Sequence, residues 1–333
     1  MTSSTTTVAL PAGTLSVHFI DVGQGDSILI QAPDGKTMLI DGGEADSGAL
    51  QYLQSRGIKK LDVMVATHPH ADHIGGLPTI LKAIPTAKVV TNGQAHTTRT
   101  YERLLDAIAT AKAEYVEVKR GDTLRLGDLA FAVLNSITTT GDDLNNNSVV
   151  LRLVYGQVSF LFTGDAEKEA EDSMSMSSFS PVQATILKVG HHGSRTASSP
   201  AFLAMVQPEV AIYSAGKDNS YGHPHAEVVD ALTAMGAAVY GTDEYGTLVV
   251  TTDGTTYNVE TETGQARAPP PTPAGSTPPA DASTLPLEIV SVTSPVAPGS
   301  QATLVVRTAP GAVCNITVRY ASGPSRASGL EEK

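Results

Sequence analysis

The chain has 333 residues, of which 41% are hydrophobic and 17% are charged, and its formal net charge is −12. These proportions are typical of a globular protein long enough for more than one domain. The acidic excess argues against tight binding of a nucleic-acid backbone, because such binding depends on lysine and arginine. The sequence contains no apolar run of about eighteen residues, so it predicts no membrane span.

The first half of the sequence predicts a strand meander followed by alternating helices and strands. Short apolar runs bounded by glycine, proline or aspartate predict strands, and apolar residues three and four positions apart predict helices. In chain order, the predicted elements are strands at 15–20, 27–31 and 37–40, a helix at 47–56, a strand at 61–66, a helix at 77–83, a strand at 88–91 and a helix at 100–113. The mostly apolar strand at 61–66 is expected to be buried, and it leads into a loop rich in histidine.

That loop, 66–76, carries His68, His70, Asp72 and His73 within six positions, although the whole chain has only nine histidines. Imidazole and carboxylate groups are ligands of zinc, manganese and iron, and the end of a strand holds them on a rigid edge. The spacing therefore predicts that one loop serves two adjacent divalent ions. His68 and His70 are assigned to the first ion, and Asp72 and His73 to the second.

The second half again alternates strands and helices. In chain order, it predicts strands at 115–119, 123–126, 129–134, 149–154 and 157–162, a helix at 166–174, a strand at 184–189, a helix at 200–206, a strand at 209–214, a helix at 227–235, and strands at 238–240, 248–252 and 256–260. Asp165 follows one of these strands directly, and His191 and His192 follow another. Polar side chains at strand ends are again candidates for a functional site.

The order of these elements fits an α/β (α+β) fold of the αββα type, with two mixed sheets and outer helices, over residues 13–262. The segment 263–286 is rich in proline and is predicted to be an extended linker. Strand signals return in 287–333, where they resemble the first strands of an immunoglobulin-like module of bacterial surface proteins. We expect this last segment to be a partial all-β domain.

Short motifs occur along the chain in a fixed order: HFIDVGQGDS at 18–27, LIDGG at 39–43, HPHADH at 68–73, NNNSVVL at 145–151, FTGD at 162–165, LKVGHHGS at 187–194 and YGHPH at 221–225. Together they resemble the metallo-β-lactamase superfamily. In detail they resemble its ComEC-like branch, which is named for the hydrolase domain of the DNA-uptake competence protein. One motif alone would be a weak signal, whereas the ordered series is a specific one.

The resemblance implies a metallo-β-lactamase sandwich that holds two divalent ions, zinc or manganese, and uses a metal-bound hydroxide as the nucleophile. Asp165 is expected to bridge the two ions. His192 is expected to bind the second ion and His191 to contact the scissile phosphate, with the reverse assignment open. Catalytic roles are thus assigned to Asp72, Asp165 and His191.

The roles of several further residues stay open in this interpretation. Asn147 stands in the segment where most of the superfamily has another histidine ligand, and it can coordinate weakly, contact substrate or cap a turn. His223 and His225 can be additional ligands, or can hold a phosphate or a leaving group. Lys188 is expected to be structural or to contact phosphate. Support of the ligands is assigned to three acidic residues, Asp21, Asp26 and Asp41.

The resulting prediction is a metal-dependent phosphodiesterase. The resemblance favours a nuclease acting on single-stranded DNA, whereas the acidic charge and the surface-type tail favour small or surface-linked phosphodiesters. A surface module that binds without catalysis is the alternative from another class, but the intact ligand set argues against it. Hydrolysis of another ester or of a lactam is less favoured, because Cys314 is the only cysteine and lies outside the catalytic part.

The tail also predicts an extracytoplasmic or cell-surface location. A cytoplasmic location is the alternative, since residues 1–7 have no basic region followed by an apolar core and do not form a signal peptide as they stand. The sequence makes no prediction of the oligomeric state.

Overall fold

The structure is a computed structural model that describes residues 13–136, 143–175, 181–264, 288–292 and 304–307. The chain divides into two compact units, Met1–Pro271 and Thr272–Lys333. The strands of the first unit are β1 (Leu15–Phe19), β2 (Ile28–Gln31), β3 (Thr37–Ile40), β4 (Val63–Ala66), β5 (Lys88–Thr91), β6 (Glu114–Glu117), β7 (Thr123–Leu126), β8 (Leu129–Asn135), β9 (Val150–Tyr155), β10 (Val158–Phe162), β11 (Ile186–Lys188), β12 (Val210–Tyr213), β13 (Ala238–Gly241), β14 (Leu248–Thr252) and β15 (Tyr257–Thr261). Its α-helices are α1 (Ala49–Ser55), α2 (Ala71–Ile74), α3 (Leu77–Ala83), α4 (Arg99–Ala111), α5 (Lys168–Ser175), α6 (Pro200–Val206), α7 (Ala226–Ala234) and α8 (Thr242–Tyr245).

The strands form two mixed sheets. The first sheet has eight strands in the order β15-β14-β1-β2-β3-β4-β5-β6, and the second has seven in the order β13-β12-β11-β10-β9-β8-β7. Strands β3 to β6 are parallel to one another, as are β10 to β13. The other neighbouring strands of the two sheets are antiparallel. Helices connect the parallel strands, because a parallel pair needs a crossover and a hairpin cannot supply it.

Three apolar clusters show how the layers are stacked. In β10, Phe160 and Phe162 belong to the cluster between the two sheets, whereas Leu161 belongs to the cluster under α5, α6 and α7. In β2, Ile28 faces the same central layer and Leu29 packs with the residues of α1, α3 and α4. Successive side chains of a strand point to opposite faces, so both faces of each sheet are apolar and both are covered. The predicted αββα arrangement is confirmed.

The histidine loop differs from the prediction in its local structure. Residues 71–74 form a single turn of helix, α2, in which the amides of His73 and Ile74 donate to the His70 carbonyl. One helical turn is too short to produce the apolar periodicity from which helices are predicted. The turn is followed by Gly76, where a Cβ atom would lie only 2.2 Å from the Gly42 carbonyl oxygen. Glycine therefore lets the loop pack directly against the end of β3.

The strand ends explain where a site can form. β3, β4, β10, β11 and β12 all have their carboxyl ends at one edge of the sandwich, and the residues that follow them are Asp41, Thr67, Thr163, Val189 and Ser214. Ligands of α/β folds bind beyond the carboxyl ends of the parallel strands. The polar motifs of both halves therefore meet at this edge.

The second unit is described only as an antiparallel pair, β16 (Glu288–Val292) and β17 (Leu304–Arg307). The linker predicted at 263–286 lies outside the described residues after residue 264. Of the immunoglobulin-like segment predicted at 287–333, these two strands alone are described, so both assignments stay predictions. In the part of the chain that is described, none of the helices combines the length and the apolar character needed to span a bilayer.

Candidate metal centre

Imidazole and carboxylate side chains from four segments of the chain converge at this edge. Within the described residues, two groups have ligand atoms that all lie within 4.8 Å of one another: His68, His70 and Asp165 in the first, and Asp26, His73, Asp165 and His192 in the second. Asp165 belongs to both groups. The structure thus brings His68 and His70 together and puts Asp165 in both groups. The second group contains His73 with Asp26, which was predicted as a supporting residue, and not with Asp72, which was predicted as its fellow ligand.

His73 is held with one ring nitrogen free for a ligand role. Its Nδ1 lies 2.8 Å from Asp41 Oδ2, and because a carboxylate only accepts, Nδ1 must carry the proton. Nε2 then presents a lone pair to Asp165 Oδ2 at 3.1 Å, and this buried nitrogen has no hydrogen-bond partner among the described residues. Two lone pairs facing each other at this distance need a cation or a second proton between them.

His192 shows the same design in the other half of the fold. Its Nδ1 donates to the Ser214 carbonyl oxygen at 2.9 Å, which leaves Nε2 as the nitrogen available to a metal in the neutral ring. That Nε2 lies 3.2 Å from Asp72 Oδ2 and 3.5 Å from Asp165 Oδ2. The Asp72 side chain is 25% exposed, so it contacts the second group on the side that is open to solvent. In both histidines the supporting hydrogen bond fixes the tautomer that a metal requires.

The first group is assembled from the beginning of the histidine loop. His68 Nε2 lies 3.0 Å from His70 Nδ1 and 3.7 Å from Asp165 Oδ2. On the opposite side of its ring, Nδ1 contacts the hydroxyl oxygens of Thr67 at 3.1 Å and Ser148 at 3.3 Å. The Thr67 hydroxyl donates in turn to Asp41 at 2.7 Å, so the same carboxylate supports ligands of both groups.

The electrostatics of the cluster suit a cation. Burial would raise the pKa of Asp165, but the positive charges of His192 and His73 outweigh it and hold the pKa well below its usual range. Conversely, burial would lower the pKa of His73 and of His192, and the surrounding carboxylates, Asp165 foremost, raise both instead. The negative potential of these buried carboxylates keeps protons on the imidazoles, and the same potential favours the binding of divalent cations. Together with the unpartnered His73 Nε2 and Asp165 Oδ1, this shows that the residues fit a metal centre.

Backbone conformation brings the two adjacent histidines to the same place. His191 and His192 have φ values of 46° and 56°, which is the left-handed region that non-glycine residues rarely adopt. Their rings do not separate to opposite sides: His191 Nε2 lies 3.9 Å from Asp165 Oδ2, while His192 reaches the same oxygen more closely. Strained backbone of this kind persists where the surrounding structure holds it, and it is common at functional sites.

An open cleft of about 320 Å³ lies over the cluster. Its lining consists of Gln24, Glu44, His70, Ala71, Asp72, Asp165, His191, His192, Tyr221 and His223. Tyr221 is 66% exposed and its ring stacks on His223 with centroids 5.7 Å apart. Of the two histidines with open roles, His223 therefore faces the cleft, whereas His225 accepts a hydrogen bond from the Arg195 amide and begins α7.

Two other predicted residues bond to loop segments. Asp21 is exposed, and its carboxylate accepts a hydrogen bond from the Gly23 amide within its own turn. Asn147 is buried and donates its side-chain amide to Gln94 at 3.2 Å. Both are short polar residues, and such residues bond to local backbone and loops as readily as they support a metal.

The sequence interpretation missed Glu167, which positions His191. Its Oε1 lies 2.8 Å from His191 Nδ1 and also accepts from Thr196 Oγ1 and Asn145 Nδ2. The hydrogen bond from His191 leads the causes that lower the pKa of this glutamate. The sequence offered one signal for Glu167, its position two residues after Asp165. This signal is weak, because acidic residues are common at the start of a helix for other reasons.

Comparison with known proteins gives matches of three kinds: a family profile, related sequences and solved structures. The sequence profile described as the metallo-beta-lactamase superfamily matches residues 20–217. ComE operon protein 3 of Bacillus subtilis is 36% identical over 251 residues, which are 70% of this chain and 32% of that protein. Competence protein ComA of Neisseria gonorrhoeae is 30% identical over 72% of this chain and 33% of that protein.

The chain therefore spans about a third of the length of these curated relatives. Among solved structures, the metallo-beta-lactamase fold protein YhfI of Bacillus subtilis aligns with a TM-score of 0.48 and 13% identity, over 71% of this chain and 99% of that one.

Proposed function

The chain belongs to the metallo-beta-lactamase superfamily and resembles its ComEC-like branch, and from that premise we propose that it is a phosphodiesterase with two divalent ions, zinc or manganese. Membership of the superfamily and the buried histidine–aspartate cluster support a metal-dependent hydrolase. The observation that carries the finer proposal is Asp165, a single carboxylate shared by two ligand groups beneath an open cleft.

The chemistry divides between the ions and the chain. When bound, two divalent ions supply Lewis acidity and lower the pKa of a coordinated water, so that a nucleophile exists near neutral pH. The chain's part is to hold the ligands in the required form: Asp41 and Ser214 keep a proton on Nδ1 of His73 and His192, and Nε2 is left for coordination.

Recognition of the phosphate group falls to the exposed side of the cluster. Glu167 accepts a hydrogen bond from Nδ1 of His191, and this contact turns Nε2 of the ring toward Asp165 and the cleft. On this basis His191 is assigned the contact with a phosphoryl oxygen. His223 lies next to it, with ring centroids 5.4 Å apart, and offers a second contact on the side of the leaving group.

Two substrate classes compete, and a different observation favours each. The similarity to competence proteins over most of the first unit favours single-stranded DNA. In contrast, the described residues that line the cleft include neither lysine nor arginine, and the chain has a net charge of −12, which favours a small phosphodiester. The exposed Tyr221 suits either, because an aromatic ring stacks on a nucleobase and also attracts a quaternary ammonium group.

The experiment is hydrolysis of bis-p-nitrophenyl phosphate by the full chain, first stripped with a chelator and then supplied with Mn²⁺ or Zn²⁺. Turnover is expected only with added ions, and Asp165→Ala should abolish it. Asp172→Ala is the matched control, since this aspartate is 51% exposed in a surface ion pair with Lys168. A protein that binds both ions yet cleaves no phosphodiester would contradict the proposal and would favour a binding module.

A panel then separates the substrate classes. Cleavage of a single-stranded oligonucleotide would identify the nuclease, and cleavage of p-nitrophenyl phosphocholine without any action on the oligonucleotide would identify the small-substrate enzyme. The predicted extracytoplasmic location is a separate proposal that these assays leave aside.

A further inference from the structure

A buried ion pair joins Asp26, one of the four members of the second ligand group, to Lys188. Lys188 Nζ is 2.8 Å from Asp26 Oδ2, and the side chains of the two residues are 0% and 2% exposed. Lys188 is the last residue of β11 in the second sheet, whereas Asp26 lies between β1 and β2 of the first sheet. The pair therefore joins the two halves of the sandwich at the level of the site.

Lys188 is unable to contact a substrate from this position. Its ammonium group is enclosed, and besides Asp26 it donates to the Val189 carbonyl oxygen at 2.9 Å. Of the two roles that the sequence left open, contact with phosphate is thereby excluded by burial. A buried charge is costly unless it is paired and hydrogen-bonded, so a lysine in this place implies that its charge balances another one.

Asp26 also contacts His192, from the second half of the chain, and Asp72, from the first half. Its Oδ1 lies 3.4 Å from Nδ1 of His192, and this buried oxygen has no hydrogen-bond partner among the described residues. Its backbone amide donates to the carbonyl oxygen of Asp72 at 3.2 Å. The same segment fits tightly, because a Cβ atom on Gly25 would lie 2.1 Å from that carbonyl oxygen. Asp26 thus touches the residues that bring a carboxylate and an imidazole to the second group.

Among the described residues, the side chains of this pair make no hydrogen bond or ion pair with His68 or His70. His68 is supported instead by the hydroxyl groups of Thr67 and Ser148, and His70 contacts the other nitrogen of the His68 ring. A change at Asp26 should therefore affect the two ions unequally, which separates its effect from a general loosening of the fold.

We propose that Asp26 and Lys188 form a charge-balanced positioning pair that holds His192 and Asp72 together as ligands of the second ion, while the first ion is independent of the pair. The inference rests on the metal centre of the proposed function but not on the identity of its substrate. Asp26 adds a second, longer contact to the Nδ1 edge of His192, whose proton the Ser214 carbonyl oxygen accepts, and Lys188 balances the charge that this carboxylate adds beside the ligand.

Three variants of the full chain separate charge from position. Asp26→Asn retains an acceptor but leaves Lys188 unbalanced, so the second ion should bind about tenfold or more weakly, in the range seen for groups that support metal ligands. Asp26→Asn with Lys188→Met restores neutrality and keeps the acceptor, and it should recover wild-type affinity within about threefold. Asp26→Leu with Lys188→Met is also neutral but lacks the acceptor, and it should again bind the second ion about tenfold more weakly.

The measurement is ion content after buffer exchange together with a Co²⁺ titration, in which the absorption bands report each occupied site. Circular dichroism and the melting temperature show that each variant is folded, and the two neutral double variants keep the test valid if Asp26→Asn alone fails to fold. Lys168→Met with Asp172→Asn, a surface pair, is the matched control and should leave both ions unchanged.

The expected pattern is a first ion within about threefold of wild type in every folded variant and a second ion that follows the order given above. A folded Asp26→Leu, Lys188→Met variant with wild-type affinity for the second ion would overturn the positioning role. Equal loss of both ions in that variant would overturn it as well. A wild-type protein that binds two ions but hydrolyses no phosphodiester would instead contradict the proposed function alone.

Discussion

Asp41→Asn should separate the stability of the fold from its ability to bind metal. The Asp41 carboxylate is fully buried and accepts from the Thr67 amide at 2.8 Å, the Thr67 hydroxyl at 2.7 Å and His73 Nδ1 at 2.8 Å. Asparagine has nearly the same shape. Its oxygen must face the Thr67 amide, because that donor has no alternative, and its NH₂ group then faces the hydroxyl and the imidazole.

The consequence is a reversed tautomer in His73. An NH₂ group donates, so Nδ1 becomes an acceptor and the ring proton moves to Nε2, where it blocks coordination. Because the three contacts survive with altered polarity, the cost in the free energy of unfolding should be only about 1–2 kcal/mol. Affinity for an ion at His73 should fall about 10–100-fold, or roughly 1.4–2.7 kcal/mol.

The assay combines chemical denaturation, an ion titration and nitrogen NMR of the His73 ring. Asp41→Ala is the contrasting variant: it leaves three buried donors unpaired and should cost about 3–6 kcal/mol in unfolding free energy. Asp172→Asn makes the same chemical change on the surface and should alter neither quantity. Wild-type ion affinity in Asp41→Asn, with the protein folded, would refute the view that this carboxylate acts by fixing the tautomer.

Three further predictions concern pH, the phosphate contact and the rim of the cleft. In chelator-treated protein, the raised pKa values of His73 and His192 stabilise the fold, and this stabilisation is complete below the ordinary pKa of 6.5. The melting temperature should therefore fall as the pH rises through the pKa values of the folded state. A melting temperature that stays constant from pH 6 to 9 would contradict this. Glu167→Gln should lower kcat about tenfold or more while ion content stays at the wild-type level, because it loosens His191 and no ligand; loss of an ion would assign Glu167 to the metal centre instead. Tyr221→Ala should raise KM about tenfold for a substrate with a planar group and Tyr221→Phe should not, as measured by steady-state kinetics; equal effects of the two would remove the stacking role.

Much of this architecture could be predicted because its signals are local. Strands such as β3, β5 and β7, and helices such as α3 and α6, begin and end in the structure at the residues predicted for them, since glycine, proline and apolar runs mark their limits. The layer order followed from the same pattern, because strands that are apolar on both faces require cover on both faces. The one-turn helices α2 and α8 were missed, as four residues are too few to show a period.

The site was predictable to the extent that its residues lie next to one another in the chain. His68, His70 and His73 are obvious as a group, and Asp165 and His192 were added through the family's motifs. In contrast, Glu167 and Lys188 depend on contacts between segments, and nothing in their neighbours along the chain shows the partner. The Lys188–Asp26 pair joins residues from different sheets, so only the fold reveals it.

The sequence does not show which ring nitrogen of each histidine is available for coordination, because that depends on the residue that supports the other nitrogen. His73 is fixed by a carboxylate that a motif can reveal, whereas His192 is fixed by the Ser214 carbonyl oxygen, which any residue at that position would supply. A backbone acceptor leaves no trace in the sequence, because it depends on where β12 ends and not on the side chain. An exchange like Asp41→Asn is therefore available for His73, whereas for His192 the corresponding side-chain perturbation acts through Asp26, whose Oδ1 lies 3.4 Å from its Nδ1.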